Sequence, residues 1–406
     1  MAGVMVVIGT RPEGIKLAPV VEALQRRGEI ETRVALTGQH SDLMDQVIDV
    51  FNLPVQWDLE IMRDGQDLYD VTRECLEGLR EVLRQWRPDI LLVQGDTASA
   101  FVGGLVAFYE RTRLGHVEAG LRSGDKWKPY PEEIFRRLTG VLTDVHFAPT
   151  PLAATHLLKE GVDPATVHVT GNTVVDALLR MTGRPHEARN AALAQALESG
   201  RRLVLVTAHR RESFGAPLRQ AFMALRDIAD ACDDVMIIYP VHPNPNVRGP
   251  ASEILDSHDR IVLTEPFDYL DLVHALQHAA LVITDSGGIQ EEAPTFGVPV
   301  LVMREVTERP EGVHAGVSRL VGTDRRLIAD GALAVLQPSQ AASQAGAPRL
   351  SVPTQPAARG AGREGQRLVD RPNPYGDGHA AERIADIVIH TLTGAPRRTQ
   401  DWPGLT

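Results

Sequence analysis

Short apolar runs alternate with longer helix-periodic stretches along almost the whole chain, and this alternation most narrows the fold. Ile90–Gln94 (ILLVQ) is apolar at successive positions, so both faces of that strand must be covered, as inside a parallel sheet. Val4–Ile8, Arg33–Leu36, Leu114–Val117, Val145–Ala148 and Val167–Val169 extend the series. Helices are expected over Glu13–Arg27, Asp42–Phe51 and Leu68–Gln85. Such strand-helix repetition predicts a doubly wound α/β sheet. Met181–Arg202 reads as a polar helical stretch at a domain boundary. Leu203–Thr207, Val235–Tyr239, Ile261–Leu263, Leu281–Thr284 and Pro299–Met303 then form a second series. The chain thus reads as two similar Rossmann-like domains, over 1–173 and 174–372.

Within the second domain, Gln337–Arg371 is rich in Ala, Pro, Gln, Gly, Ser and Arg and lacks apolar periodicity. It cannot bury enough surface to offset its ordering entropy and is expected to be a flexible insertion. Asn373–Gly378 (NPYGDG) is a turn and cap before a helix over His379–Leu392.

The 406 residues suggest about two to three domains. The net charge of -11 and the 5% aromatic content argue against nucleic acid and anionic membranes as partners. No apolar run approaches a membrane span, and the N-terminus reads as a first strand, with no signal peptide. Cys75 and Cys232 have neither metal-ligand nor disulfide spacing, which fits idle thiols in a reducing, cytoplasmic setting.

Open α/β sheets bind ligands beyond the carboxyl ends of their strands. After the first strand comes GTRPEGIK, where Arg11 and Lys16 flank a helix start. This is either an anion site or an ordinary strand-helix turn with surface cations. Asp96 follows ILLVQ, Glu118 ends the next strand, and Glu132 with Glu133 opens a helix. Carboxylates meeting at one sheet edge can divide acid and base roles. Asp96 could equally cap the next helix, and Glu132 and Glu133 could simply favour a first turn. In the second domain, His209, Arg210 and Arg211 end a strand in a pattern suited to phosphate, and His242 lies in a Pro-rich turn. The strongest local signal is TDSGGIQEEA. Ser286, Gly287 and Gly288 make a turn whose N–H groups suit phosphate, Glu292 is placed for vicinal hydroxyls, and Arg304 and Arg309 follow the next strand.

Taken in order, GTRPEGIK, QGDT, GHVEAGLRSGD, PEE, HRRESFG, PVHPNP, TDSGGIQEEAP, MREVTERPEG, LVGTD and NPYGDG closely resemble the non-hydrolysing UDP-N-acetylglucosamine 2-epimerases. The resemblance implies a GT-B fold with an interdomain active-site cleft and the C-terminal helix, 379–393, packing back on the first domain. It implies reversible conversion of UDP-GlcNAc to UDP-ManNAc through elimination of UDP and a 2-acetamidoglucal, without cofactor or metal, by a homodimer. By the same resemblance Asp96, Glu118 and Glu132 are the acid/base set. His209, Arg11 and Lys16 stabilise departing UDP. Ser286, Gly287 and Gly288 hold phosphates, Glu292 the ribose, and Arg309 the diphosphate. Gln39, His40, Arg210 and His242 match a second, allosteric UDP-GlcNAc site, although Ser41 and Asp42 stand where longer side chains are usual. Phe135 replaces a usual Asn beside Glu132, and Gly14 a usual Ala. Two other readings remain, a hydrolysing epimerase that releases ManNAc and UDP, and a non-catalytic UDP-sugar sensor. A GT-B glycosyltransferase is disfavoured by the three carboxylates and by the lack of an evident acceptor-binding segment.

Overall fold

The computed structural model describes residues 1–38, 42–63, 65–184, 186–337 and 373–405. They form two compact units, Met1–Leu179 with Tyr375–Thr406, and Arg180–Pro374. The expected insertion at 337–371 lies outside the described residues apart from Gln337, which follows the helix Arg325–Leu336.

The first unit holds seven strands: β1 (Gly3–Ile8), β2 (Glu31–Leu36), β3 (Val55–Asp58), β4 (Ile90–Gln94), β5 (Arg113–Val117), β6 (Val145–Ala148) and β7 (Val167–Val169). Their order is β3-β2-β1-β4-β5-β6-β7, every pair parallel. β1 and β4 are buried along their whole length, which is why both read as unbroken apolar runs. The second unit holds β8 (Arg202–Thr207), β9 (Val235–Pro240), β10 (Ile261–Thr264), β11 (Ala279–Thr284), β12 (Val300–Val302) and β13 (Ser318–Leu320). Their order is β10-β9-β8-β11-β12-β13, again all parallel. Each sheet has the Rossmann order, reversing direction between its first and fourth strands. Two such units on one chain make a GT-B fold.

The reversal decides where chemistry can gather, because the chain leaves the two central strands toward opposite faces and opens a crevice at their carboxyl ends. In the first unit the crevice is flanked by the turns after β1 and β4, and in the second by those after β8 and β11.

The last segment of the chain is tied to the first unit by named contacts. Asp176 accepts the N–H groups of Ala380 and Ala381, capping the helix Ala380–Thr393 from outside it. Asp386, on that helix, pairs with Arg27 at 3.0 Å and accepts the N–H groups of Arg398 and Thr399. Trp402 donates its backbone N–H to Val169.

The stretch expected to be one polar helix over 181–202 is broken. A helix ends at Thr182, another runs Ala191–Glu198, and β8 has begun by Arg202. Asn190 caps the second helix, and Asp271 accepts the backbone N–H groups of Arg189 and Asn190 and hydrogen-bonds His186 Nε2 at 2.7 Å. His186, Asp268 and Asp271 place their ligand-type atoms within 4.8 Å of one another. Their oxygens are spent on these backbone contacts and on capping the helix Tyr269–His278, so the cluster reads as a brace.

Candidate functional site

The turn after β1 is built around a carboxylate that sequence reading passed over. Glu13 is buried and accepts the N–H groups of Gly9 at 2.6 Å and Thr10 at 2.5 Å, while its other oxygen receives the Thr97 hydroxyl at 2.5 Å. Thr10 and Glu13 form a capping box, so the helix starts at Arg11, two residues earlier than expected. Glu13 therefore joins the turn after β1 to the turn after β4. Burial pushes its carboxyl up to about 7 against those hydrogen bonds. Gly9 is required by space, since a Cβ there would collide with Ser99.

Glu118 follows β5 with φ at 65°, a left-handed conformation that costs a non-glycine residue on the order of 1 kcal/mol. Its buried carboxylate receives Lys16 Nζ at 2.5 Å and Gln94 Nε2 at 2.6 Å. Lys16 and Glu118, sought separately for phosphate and for C2, are thus direct partners. Asp96 does not cap the next helix; Thr97 does, accepting the Ala100 N–H. Asp96 instead pairs with Arg136 at 2.5 Å, and Arg136 also faces Glu133 at 3.2 Å. Glu133 is buried and accepts the Ser123 N–H, so it braces the loop before it. Glu132, one residue earlier, has a buried carboxylate oxygen with no hydrogen-bond partner. Burial drives His116 down to about 3, so its ring is neutral and Nε2–H donates to the Gly95 carbonyl at 2.7 Å. This fixes the backbone just before Asp96. Arg11 occupies the first helical position, partly exposed. Phe135 lies flat against Phe101, with ring centroids 5.2 Å apart and planes within 8°.

In the second unit the turns after β8 and β11 are sewn together. Asp285 donates its backbone N–H to Thr207, its carboxylate accepts the His209 and Arg210 N–H groups at 2.8 Å each, and the Thr207 and Thr284 hydroxyls meet at 2.5 Å. His242 stacks on His209 with centroids 5.7 Å apart. Ser286 precedes the helix Gly287–Glu292 without capping it through its side chain, so Gly287 and Gly288 are helical residues and not part of the turn. Glu292 closes that helix, partly buried. Gly287 has a reason beyond backbone approach: a Cβ there would lie 2.6 Å from Arg309 Nη1. Arg309 is gripped by Glu291 at 2.7 Å and Glu308 at 2.5 Å, both buried. Glu308 also holds Arg304 at 2.8 Å and faces Arg210 at 3.9 Å. Burial alone would raise the Glu308 carboxyl, but Arg309, Arg304 and Arg210 outweigh it and hold it at about 2. The result is a group of three arginines around Glu308, two of them, Arg304 and Arg309, fixed by buried carboxylates.

The structure therefore brings Lys16 and Glu118 together in one unit, and His209, His242, Arg210 and Arg309 around the β8 and β11 turns of the other. Gln39 and His40 lie outside the described residues. The residues missed by sequence reading, Glu13, Arg136, Glu291 and Glu308, are mostly buried carboxylates, and Glu133, read only as a first-turn acid, is one more. Only Glu13 carried a local signal, the Thr-x-x-Glu spacing of a capping box.

A family model described as UDP-N-acetylglucosamine 2-epimerase matches residues 22–389. The chain is 45% identical over 386 residues to the UDP-N-acetylglucosamine 2-epimerase of Yersinia pestis, covering 94% of this chain and 96% of that protein. Among solved structures, S. aureus MnaA in a co-structure with UDP is 40% identical with a TM-score of 0.85, covering 99% of this chain and 100% of that one. The UDP-GlcNAc 2-epimerase of Neisseria meningitidis, bound to UDP-GlcNAc, is 36% identical with a TM-score of 0.81 and coverage of 97% and 100%.

Proposed function

The chain belongs to the UDP-N-acetylglucosamine 2-epimerase family, and from that premise we propose that it interconverts UDP-GlcNAc and UDP-ManNAc by the non-hydrolysing route. The observation that carries the reading is Glu118, a buried carboxylate set on a left-handed backbone between Lys16 and Gln94. Backbone strain of this kind gathers where a side chain must be aimed.

A carboxylate of the Asp96, Glu118 and Glu132 set takes the C2 proton. The C2–H electron pair becomes the C1=C2 double bond as the C1–O bond breaks and its electrons leave on UDP. The 2-acetamidoglucal stays bound. UDP oxygen then re-forms the bond to C1 while a second acid delivers a proton to the opposite face of C2. Inversion requires two proton-handling groups, and the differently partnered Glu118 and Asp96 supply them. His209, Arg11 and Lys16 stabilise the charge developing on UDP, with Ser286, Gly287, Gly288 and Arg309 on the phosphates and Glu292 on the ribose. No cofactor or metal enters the scheme. We propose further that the protein acts as a homodimer and that Arg210 and His242 contribute to a second, regulatory UDP-sugar site.

Incubation with UDP-GlcNAc in D2O tests the route. The reading expects UDP-ManNAc carrying deuterium at C2; release of free ManNAc with UDP would instead establish the hydrolysing alternative.

A further inference from the structure

We propose that Asp285 is the positioning residue for His209: its carboxylate holds the imidazole Nδ1–H and so turns Nε2 toward the departing diphosphate. The proposal rests on the role given to His209 above. Asp285 is 1% exposed. One of its oxygens, Oδ2, receives the backbone N–H groups of His209 and Arg210, which fixes the carboxylate from below. The other oxygen, Oδ1, has no hydrogen-bond partner and lies 3.4 Å from His209 Nδ1. A buried carboxylate oxygen facing a ring nitrogen is repelled unless that nitrogen carries a proton, so the arrangement selects the Nδ1–H tautomer. The lone pair, or the second proton of the imidazolium, is then on Nε2.

The surroundings hold the ring in that pose. His242 stacks on it with planes within 16°. The buried Tyr239 hydroxyl donates to the Ala208 carbonyl at 2.7 Å and fixes the backbone entering His209. The His209 side chain is 41% exposed, so the ring remains accessible. The groups that set its charge are Asp285, Arg210 and His242. Burial holds the imidazole below the ordinary histidine range, Asp285 opposes this, and Arg210 and His242 add to it. Asp285 thus favours the imidazolium, the form that donates to a leaving phosphate.

The test is ¹⁵N NMR of histidine-labelled protein, with His209 assigned by its loss in His209→Asn. In the wild type, neutral His209 should carry its proton on Nδ1; finding it on Nε2 overturns the proposal without need of any Asp285 variant. In Asp285→Asn the amide oxygen can still accept the two backbone N–H groups, while its NH2 faces Nδ1. The proton should move to Nε2 and the His209 pKa should fall, because the opposing Asp285 charge is gone. Epimerisation kcat at neutral pH should fall roughly 100-fold with KM within a few-fold. In a His209→Asn background, Asp285→Asn should cost no further activity, whereas a purely structural role would cost the same again. An unchanged tautomer and pKa in Asp285→Asn also overturns the proposal. The NMR readout needs no turnover, so a wild type that fails to exchange C2 would sink the epimerase reading and leave the dyad to be judged on its own.

Discussion

Gly287→Ala separates two reasons for a glycine after β11. The added Cβ would sit 2.6 Å from Arg309 Nη1 and 2.9 Å from Cζ, where ordinary contact begins at 3.4 Å, so the guanidinium must retreat by about 0.8 Å. A solvent-exposed arginine would swing aside at little cost. Arg309 cannot, because Glu291 and Glu308 grip it from Nε and Nη1 and both are buried. Overpacking of this kind costs about 1–3 kcal/mol. Against it stands the helix-propensity gain of alanine over glycine, about 1 kcal/mol. Gly288→Ala is the internal control, since its Cβ meets nothing nearer than Glu292 Oε1 at 3.3 Å. It keeps the propensity gain, and the Glu292 side-chain end need yield only about 0.1 Å. Urea unfolding should therefore place Gly287→Ala about 0–2 kcal/mol below the wild type and about 1–3 kcal/mol below Gly288→Ala. A displaced Arg309 should also weaken UDP binding about tenfold by calorimetry, the loss of one charge-assisted hydrogen bond. Equal stability of the two variants, with UDP affinity unchanged in Gly287→Ala, would refute the steric reasoning.

Burial raises Glu13 from 4.5 to about 7, so the folded state binds a proton more tightly than the unfolded chain. Its contribution to stability is full below pH 4.5 and is lost as pH rises through about 7. Glu13→Gln mimics the neutral carboxyl and should match the wild type near pH 4, below the unfolded value of 4.5, but exceed it by about 1–3 kcal/mol at pH 8; parallel urea midpoints at the two pH values would contradict this. Glu118→Gln should abolish most turnover and destabilise by about 3 kcal/mol, because Lys16 loses a buried carboxylate. Adding Lys16→Met should recover part of that stability and no activity, a double-mutant cycle that strict additivity would refute. Phe135→Asn, which removes the stack on Phe101, should cost about 1 kcal/mol in thermal unfolding; an unchanged melting temperature would show that the ring contributes no packing.

The alternating pattern made the central strands legible because the middles of β1, β4, β8 and β11 are covered on both faces and read as apolar runs. The missed strands are edges. β3 (VQWD) and β13 (SRL) each have one sheet neighbour and partly exposed side chains, so neither shows an apolar run. The break before the helix Ala191–Glu198 escaped notice because Arg189 and Asn190 are held by distant Asp271, which no local pattern announces. The strand-end turns were legible because topology puts ligand chemistry there. Their supporting acids were not: Glu13, Glu133, Glu291 and Glu308 look in sequence like the surface acids of any helix or loop. Only the fold shows that each is buried against a named cation or N–H group. Phe135, which stands where the family usually has Asn, finds its partner in Phe101 on the neighbouring helix.

In the proposed reaction the carboxylates at the first unit's strand ends exchange the C2 proton of a UDP-sugar while UDP leaves and returns. Proton NMR of UDP-GlcNAc in D2O with the full chain tests it most directly. Loss of the C2 proton signal is expected in step with the appearance of UDP-ManNAc, and neither in Glu118→Gln. A wild-type protein that binds UDP yet leaves the C2 proton in place would contradict it.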